Sequence, residues 1–193
     1  MYDHDLVPGF TFKHIRVERR PVFDTKGAPV EGLHNVWIIL DNPAEMNSYT
    51  TDTIKEVILA FRHASNDRAA VCAVFTGAGH KAFCSGGNTR EYATRYAGHS
   101  GEYRQYMRLF NDMVSAILAC DKPVIAMIDG LCFAGALELA MCCDVRYCSD
   151  DSTFAALEAR FSNGIATMIM PWLLGQRSRA LIYTGDRIDA AEA

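Results

Sequence analysis

Two glycine-bearing loops, each directly after a short apolar run, constrain the fold of this chain more than any other feature. The run at residues 70–76 (AVCAVFT) leads into a loop that reaches Gly86 and Gly87. The run at residues 123–128 (PVIAMI) leads into a loop that reaches Gly135, 48 residues after Gly87. Open α/β folds bind ligands just beyond strand ends, and glycine lets a backbone N–H approach a ligand closely. Two such N–H groups that converge on one carbonyl oxygen would form an oxyanion hole.

Two glutamates follow the second loop in segments that are otherwise apolar. Glu138 lies in FAGALELAMCCD and Glu158 lies in FAALEA. An ionised carboxylate is costly in such surroundings, and two carboxylates at one site repel, so that one holds a proton while the other stays basic. Such a pair can add or remove water, or move a proton between two carbons. The alternative from spacing alone is two ordinary glutamates on a helix and a loop.

Short β-branched runs alternate with amphipathic segments along the chain, and this pattern predicts an α/β fold with crossover helices. Thr53-x-x-Glu56 matches a capping box at the start of the first helix. The predicted strands are residues 36–40, 70–76, 123–128 and 145–148. The other predicted helices are residues 101–119 and 137–143.

Composition excludes several classes of protein. The chain has 193 residues, of which 50% are apolar and 22% charged, which is typical of a soluble globular protein. A net charge of −4 without a basic patch argues against a nucleic-acid partner, and no apolar run is long enough to cross a membrane. The seven cysteines are odd in number and form no CxxC, so we expect reduced thiols, no metal ligands and a cytoplasmic location.

Two weaker patterns have more than one interpretation. Residues 77–82 fit the dinucleotide-binding pattern G-x-G-x-x-A, but that site needs a helix to begin there, and the segment continues as a loop. Tyrosines recur in the segment after the first glycine loop, where they suit either the lining of an acyl pocket or a helix surface. These residues are Tyr92, Tyr96, Tyr103 and Tyr106.

Both glycine loops and both glutamates lie in motifs that resemble the crotonase (enoyl-CoA hydratase/isomerase) superfamily. The motifs are KAFCSGG at residues 81–87, DGLCFAGALELA at residues 129–140, Cys143-Asp144 and FAALE at residues 154–158. The resemblance implies a spiral core of ββα repeats. It also implies four catalytic residues, the N–H donors Gly87 and Gly135 and the glutamates Glu138 and Glu158. The substrate-binding positions that it implies are Asn47, Ala82, Cys84, Ser85, Gly86 and Asn88.

Within the superfamily the resemblance divides. Residues 40–51, 86–93 and 102–113 resemble the hydrolases that open the ring of 6-oxocyclohex-1-ene-1-carbonyl-CoA, whereas the chain from Ile125 onward resembles general enoyl-CoA hydratases. The ring-opening pattern lacks a glutamate at the position of Glu158. Asn88 stands where many hydratases carry aspartate, and Ala44-Glu45 offers no cation to coenzyme A phosphates. That charge could come from three arginines, which otherwise form a solvated basic face. These are Arg16, Arg19 and Arg20.

The chemistry that the resemblance implies is addition of water to a 2-enoyl-CoA whose thioester oxygen is held in the oxyanion hole. Glu138 would activate the water and Glu158 would protonate C2, although the pair could share both roles. The alternatives are isomerisation through a proton shuttle between C2 and C4, ring-opening hydrolysis, and a fragment that only binds acyl-CoA. No metal or redox cofactor is expected, and coenzyme A enters as part of the substrate.

The end of the chain carries a helix-start signature in Asp189 and Glu192, and the sequence stops at Ala193. The resemblance implies further helices, which cover the acyl pocket and build a trimer or hexamer. We therefore expect one spiral domain over residues 1–193, without the helical trimerisation part and with apolar surface exposed.

Overall fold

The computed structural model describes residues 9–161, 163–164 and 166–193, and these form two sheets with helices between them. The strands are β1 (Ile15–Phe23), β2 (Pro29–Leu40), β3 (Ala70–Gly77), β4 (Ala82–Cys84), β5 (Val124–Ile128), β6 (Leu131–Phe133), β7 (Val145–Cys148), β8 (Thr153–Ala155) and β9 (Ile188–Asp189). The helices are α1 (Thr51–Asn66), α2 (Thr89–Glu91), α3 (Ser100–Leu118), α4 (Gly135–Met141), α5 (Ile169–Leu174) and α6 (Arg177–Thr184). A π-helical turn (Tyr92–Tyr96) follows α2, and 3₁₀ helices occupy Pro43–Glu45 and Leu157–Phe161.

The larger sheet contains the apolar runs that the sequence predicts as strands. Its order is β1-β2-β3-β5-β7, with β1 antiparallel to β2 and the other neighbours parallel. The four predicted strands are confirmed, although β2 begins seven residues before the predicted start at Val36. The inner positions of β2, among them Val36 and Ile38, are buried. The core forms where the larger sheet packs against α1 and α3.

The smaller sheet is made of short strands that the sequence analysis does not predict, two of which lie in the glycine loops. Its order is β4-β6-β8-β9, with the first three strands parallel. β4, β6 and β8 have three residues each, which is too short to give a recognisable alternation of apolar and polar side chains. The chain therefore contributes one strand to each sheet in turn, as β3-β4, β5-β6 and β7-β8, each pair followed by helical structure. This confirms the predicted spiral of ββα repeats.

The predicted capping box at the start of α1 is wrong. The helix begins at Thr51, and Thr50 caps it by accepting a hydrogen bond from the Thr53 N–H at 3.3 Å. Glu56 instead turns toward the N-terminal strand, where its carboxylate accepts hydrogen bonds from backbone N–H groups. These are the N–H groups of Lys13, His14 and Ile15, at 2.8–3.2 Å.

The C-terminal segment keeps part of the predicted helix-start signature. Asp189 accepts a hydrogen bond from the Glu192 N–H at 2.9 Å, but the Glu192 side chain pairs with Arg177 and does not complete a capping box. The expected exposed apolar surface is present, with Trp172 89% and Met168 86% exposed. Over the described residues, no helix is both long and apolar enough to cross a membrane.

Candidate active site

The two glycine loops and the 3₁₀ helix Leu157–Phe161 enclose a cavity of about 1150 Å³. All four predicted catalytic residues line it, although they come from three separate segments of the chain. The other lining residues include Ser85, Asn88, Arg90, Tyr92, Tyr96, Tyr103, Tyr106 and Phe110. The structure therefore brings together most of the residues that the sequence motifs single out.

The glycine loops lie against each other at the edge of this cavity. Tyr49 bridges the first loop, because its N–H donates to Gly86 O at 3.0 Å and its carbonyl accepts from the Asn88 N–H at 2.9 Å. A β-carbon on Gly86 would lie 2.8 Å from Ala134 Cβ, so the approach of the loops requires glycine there. Within the described part of the chain, the N–H groups of Gly87 and Gly135 donate to no protein acceptor. Both N–H groups are available to a ligand oxygen.

Gly135 is also the first residue of α4, two residues before the predicted helix start. The residue before it, Ala134, has a φ of 59° and a ψ of −134°, a conformation that is rare for a residue other than glycine and turns the chain sharply into the helix. The first N–H groups of a helix have no partner within it and carry a partial positive charge. The Gly135 N–H therefore combines an open donor with the field of a helix end.

Glu138 extends from the first turn of α4 and is half-buried. Its Oε2 accepts a hydrogen bond from the Ala166 N–H at 3.2 Å, and Ala166 has a φ of 54°. Burial raises the pKa of Glu138, whereas this hydrogen bond lowers it because it stabilises the ionised form. Glu138 thus has a built-in partner for its carboxylate.

Glu158 lies on the 3₁₀ helix Leu157–Phe161, and its Oε2 is buried without a hydrogen-bond partner among the described residues. Burial raises the pKa of Glu158 to about 7, its own backbone N–H opposes the rise, and the charge of Glu138 adds to it. An orphaned carboxylate oxygen favours the protonated form. The two glutamates therefore have different environments, one with a donor and one without.

Asn47 and Ala82 support the first glycine loop and do not line the main cavity. Asn47 has a φ of 54°, and its side-chain amide donates to Ala78 O at 2.9 Å and to Ala82 O at 2.8 Å. Its Oδ1 accepts from the Asn42 N–H at 3.0 Å. These bonds fasten the turn at residues 42–47 to the first glycine loop, beside a smaller cavity of about 250 Å³. The Asn47 side chain therefore has no free polar atom directed into the main cavity.

Cys84, Gly86 and Asn88 also shape the first loop. The Cys84 thiol is buried and accepts from the Gly86 N–H at 3.3 Å. Asn88 caps α2, since its Oδ1 accepts from the Glu91 N–H at 2.9 Å, while its amide donates to Glu45 Oε2 at 2.7 Å. An aspartate at position 88 would face the Glu45 carboxylate. The two departures from the common hydratase pattern, at positions 88 and 45, are thus physically coupled.

The three arginines considered for coenzyme A phosphates are ion-paired on β1. Arg16 pairs with Asp41 at 3.1 Å and Arg19 pairs with Asp67 at 3.1 Å. Arg20 pairs with Glu18 at 2.7 Å and also stacks over Trp37. A cation that the sequence analysis missed, Arg90, lines the main cavity and is 3.4 Å from Glu45. Its position three residues after the first glycine loop was the signal that could have identified it.

The four tyrosines that follow the first glycine loop all line the cavity, which decides between their two interpretations. The hydroxyl oxygens of Tyr92 and Tyr106 are 2.6 Å apart, and the Tyr96 hydroxyl contacts that of Thr51. The rings of Tyr96 and Tyr106 pack with centroids 4.9 Å apart. One wall of the cavity is therefore aromatic, with hydroxyl groups at defined places.

The family model described as enoyl-CoA hydratase/isomerase matches residues 34–193. The chain therefore belongs to this family, as the resemblance to the crotonase superfamily predicts. Among curated relatives, it is 50% identical over 178 residues to the 6-oxocyclohex-1-ene-1-carbonyl-CoA hydrolase of Thauera aromatica, which covers 91% of the chain and 47% of that protein. It is 32% identical over 162 residues to the crotonyl-CoA hydratase of Syntrophomonas wolfei, covering 81% of the chain and 60% of the relative.

A solved enoyl-CoA hydratase/isomerase from Xanthobacter autotrophicus Py2 has the same fold, with a TM-score of 0.82 and 29% identity over 95% of this chain and 64% of that one. The similarity to the Thauera hydrolase extends beyond the N-terminal segments that carry the resemblance in the sequence. The chain spans about half the length of the 6-oxocyclohex-1-ene-1-carbonyl-CoA hydrolases that it matches, 47% and 43% for two of them.

Proposed function

We propose that this chain forms the catalytic core of an enzyme that adds water to a 2-enoyl-CoA thioester. The observation that carries the proposal is the shared cavity of Glu138 and Glu158, with the open N–H groups of Gly87 and Gly135 at its edge. These N–H groups would hold the thioester oxygen and stabilise the negative charge that develops when water attacks C3. No metal or redox cofactor takes part, and coenzyme A belongs to the substrate.

The environments of the two glutamates support different roles. Glu138, whose carboxylate has the Ala166 N–H as a donor, acts as the base that takes a proton from water. Glu158, whose pKa is raised to about 7, supplies a proton to C2 as the enolate collapses. The proton that Glu138 gains and the proton that Glu158 loses together balance the addition of one water molecule.

The second candidate function is ring-opening hydrolysis of a cyclic oxo-enoyl thioester. It is favoured by the 50% identity to the Thauera hydrolase and by 51% identity over 164 residues to a protein of the same name from Geobacter metallireducens. The compound in that name is itself a 2-enoyl thioester. Hydration by the glutamate pair is therefore compatible with either substrate.

The proposed function also needs contacts for coenzyme A and a compartment that keeps thiols reduced. Arg90, exposed at the cavity, is the cation that we assign to a phosphate of coenzyme A. All seven cysteines are free thiols, which suits a cytoplasmic location.

Replacement of Glu158 by glutamine tests the hydration reaction. We expect Glu158→Gln to lower the rate by at least about 100-fold, because glutamine keeps the shape but cannot donate the proton. The rate is measured as the loss of the conjugated absorbance of crotonyl-CoA. Glu102→Gln, on the exposed side of α3, is the matched control and should leave the rate unchanged. Equal turnover by the two variants would remove Glu158 from the mechanism.

A further inference from the structure

The hydroxyl of Tyr92 lies directly against the first oxyanion loop. A β-carbon built on Gly87 would overlap the Tyr92 hydroxyl oxygen and would lie 2.9 Å from Tyr92 Cε2. The hydroxyl therefore occupies the space beside Gly87 that a side chain would otherwise fill. A ligand whose thioester oxygen reaches the Gly87 N–H brings the neighbouring atoms of its acyl group close to this hydroxyl.

The Tyr92 and Tyr106 hydroxyls carry two protons, but only one of these is donated in the hydrogen bond between them. Their oxygens are 2.6 Å apart, and each hydroxyl has a single proton to donate. The remaining proton has no protein acceptor among the described residues. Both residues line the cavity, but Tyr106 is buried whereas Tyr92 is only partly buried and lies against Gly87, so we place the free proton on Tyr92.

The surroundings keep both hydroxyls protonated near neutral pH. Burial raises the pKa of Tyr92 to about 12, although the hydrogen bond from Tyr106 lowers it. Burial also raises the pKa of Tyr106, and the proximity of Tyr92 adds to the rise. The pair can therefore donate a hydrogen bond to a ligand but does not act as a base.

We propose that the Tyr92–Tyr106 hydroxyl pair determines specificity in the second candidate function, by donating a hydrogen bond to the ring ketone of a thioester in which that ketone is attached to C2. This inference rests on the proposed function, since it requires the thioester oxygen to lie at Gly87 and Gly135. In such a compound the two carbonyl groups share the C2 carbon, so that their oxygens lie side by side. The backbone N–H groups would hold one oxygen, and the Tyr92 hydroxyl would hold the other.

The same geometry gives the pair a part in ring opening. The oxygen of water bonds to the ketone carbon while Glu138 takes a proton from that water. The π electrons of the ketone C=O bond move to its oxygen, which becomes an alkoxide and accepts the Tyr92 hydrogen bond. The alkoxide re-forms a C=O bond as the bond between the ketone carbon and C2 breaks. The released electron pair becomes the thioester enolate at Gly87 and Gly135, which Glu158 protonates at C2. One water molecule is consumed, and a carboxylic acid and a C–H bond result.

A purely structural role for the hydroxyl pair makes a different prediction. The contact of 2.6 Å also joins the π-helical turn Tyr92–Tyr96 to α3, and its loss would loosen both elements. Such loosening would weaken the binding of every thioester to the same extent. The proposed role weakens only the ligand that carries the ketone. Tyr103 is a suitable control position, because it lines the cavity and packs on Tyr106 but its hydroxyl has no hydrogen-bond partner among the described residues.

The test compares two saturated ligands, 2-oxocyclohexane-1-carbonyl-CoA and cyclohexane-1-carbonyl-CoA, by isothermal titration calorimetry. All measurements use the Glu138→Gln background, which keeps the ketone ligand intact, and mass spectrometry checks this. We expect the ketone ligand to bind more tightly, and Tyr92→Phe to weaken it by about 3- to 10-fold, the effect of one hydrogen bond. The affinity for cyclohexane-1-carbonyl-CoA should not change, and Tyr103→Phe should alter neither value.

Several outcomes would overturn the inference. Equal affinities of the two ligands for the Glu138→Gln protein would do so, as would an equal loss for both ligands in Tyr92→Phe. If Tyr92→Phe does not fold, the Glu138→Gln protein itself decides, because the proposal requires it to bind the ketone ligand more tightly than cyclohexane-1-carbonyl-CoA. Failure of both ligands to bind would instead refute the proposed function itself.

Discussion

At the scale of single residues, Glu158 and Glu138 show how one cavity can give two identical side chains different properties. Glu138 has a backbone donor in the Ala166 N–H, whereas Glu158 Oε2 is buried and has no partner among the described residues. The first arrangement stabilises a carboxylate, and the second stabilises a carboxylic acid. The donor to Glu138 lies 28 positions away in sequence, and the burial of Glu158 depends on the folded chain, so spacing alone left their acid and base roles open.

The raised pKa of Glu158 predicts a change of stability with pH. Its folded-state pKa of about 7 exceeds the ordinary value of 4.5, so the folded protein binds the proton more tightly than the unfolded chain. The resulting stabilisation is complete below pH 4.5 and is lost as the pH rises through about 7. We expect the stability of the native chain relative to Glu158→Gln to fall across this window, as measured by urea denaturation. A difference that does not vary with pH would contradict the assignment.

At the scale of elements, Glu56 connects α1 to the start of β1. The residue is 6% exposed, and its carboxylate accepts hydrogen bonds from three successive backbone N–H groups where β1 begins. The sequence analysis assigned Glu56 to a capping box because its spacing from Thr53 matches one. The actual partners lie more than forty positions away in sequence, where no local pattern can reveal them.

Replacement of Glu56 should therefore destabilise the fold. We expect Glu56→Ala to lower the free energy of unfolding by about 2–4 kcal/mol, because several backbone donors lose their acceptor. Glu56→Gln keeps one acceptor oxygen and should cost less. Urea denaturation measures the free energy of unfolding of both variants. Glu102→Ala, at an exposed position of α3, is the control and should change that free energy by less than about 0.5 kcal/mol. A loss no larger than that of the control would show that these hydrogen bonds contribute little.

The sequence predicted the long elements well and the short ones poorly. Four of the five strands of the larger sheet and the helices α3 and α4 lie within about two residues of their predicted positions at most ends, because apolar runs and helical stripes identify them. β1 was missed because its sequence, IRVERRPVF, carries four charged residues and exposes most of them. β4, β6 and β8 exist through pairing with one another, which is a property of the folded chain.

At the scale of the whole molecule, the candidate site exists only because the spiral brings three distant segments together. The motifs at residues 81–87, 129–140 and 154–158 identified Gly87, Gly135, Glu138 and Glu158, and the structure gathers all four at one cavity. The contacts of Tyr92 with Gly87 and of Asn88 with Glu45 could not be predicted, because they depend on how the loop at residues 85–93 folds back on itself.

The most direct test of the thioester site is the vibrational spectrum of a bound ligand. Two N–H donors weaken the C=O bond of a thioester, so we expect the carbonyl stretch of butyryl-CoA, isolated with a ¹³C label, to move to lower frequency on binding. Gly135→Pro deletes one donor at a helix position where proline is tolerated, and should reverse most of the shift while circular dichroism remains unchanged. A bound thioester with the carbonyl frequency of free butyryl-CoA would contradict the assignment of Gly87 and Gly135 as an oxyanion hole.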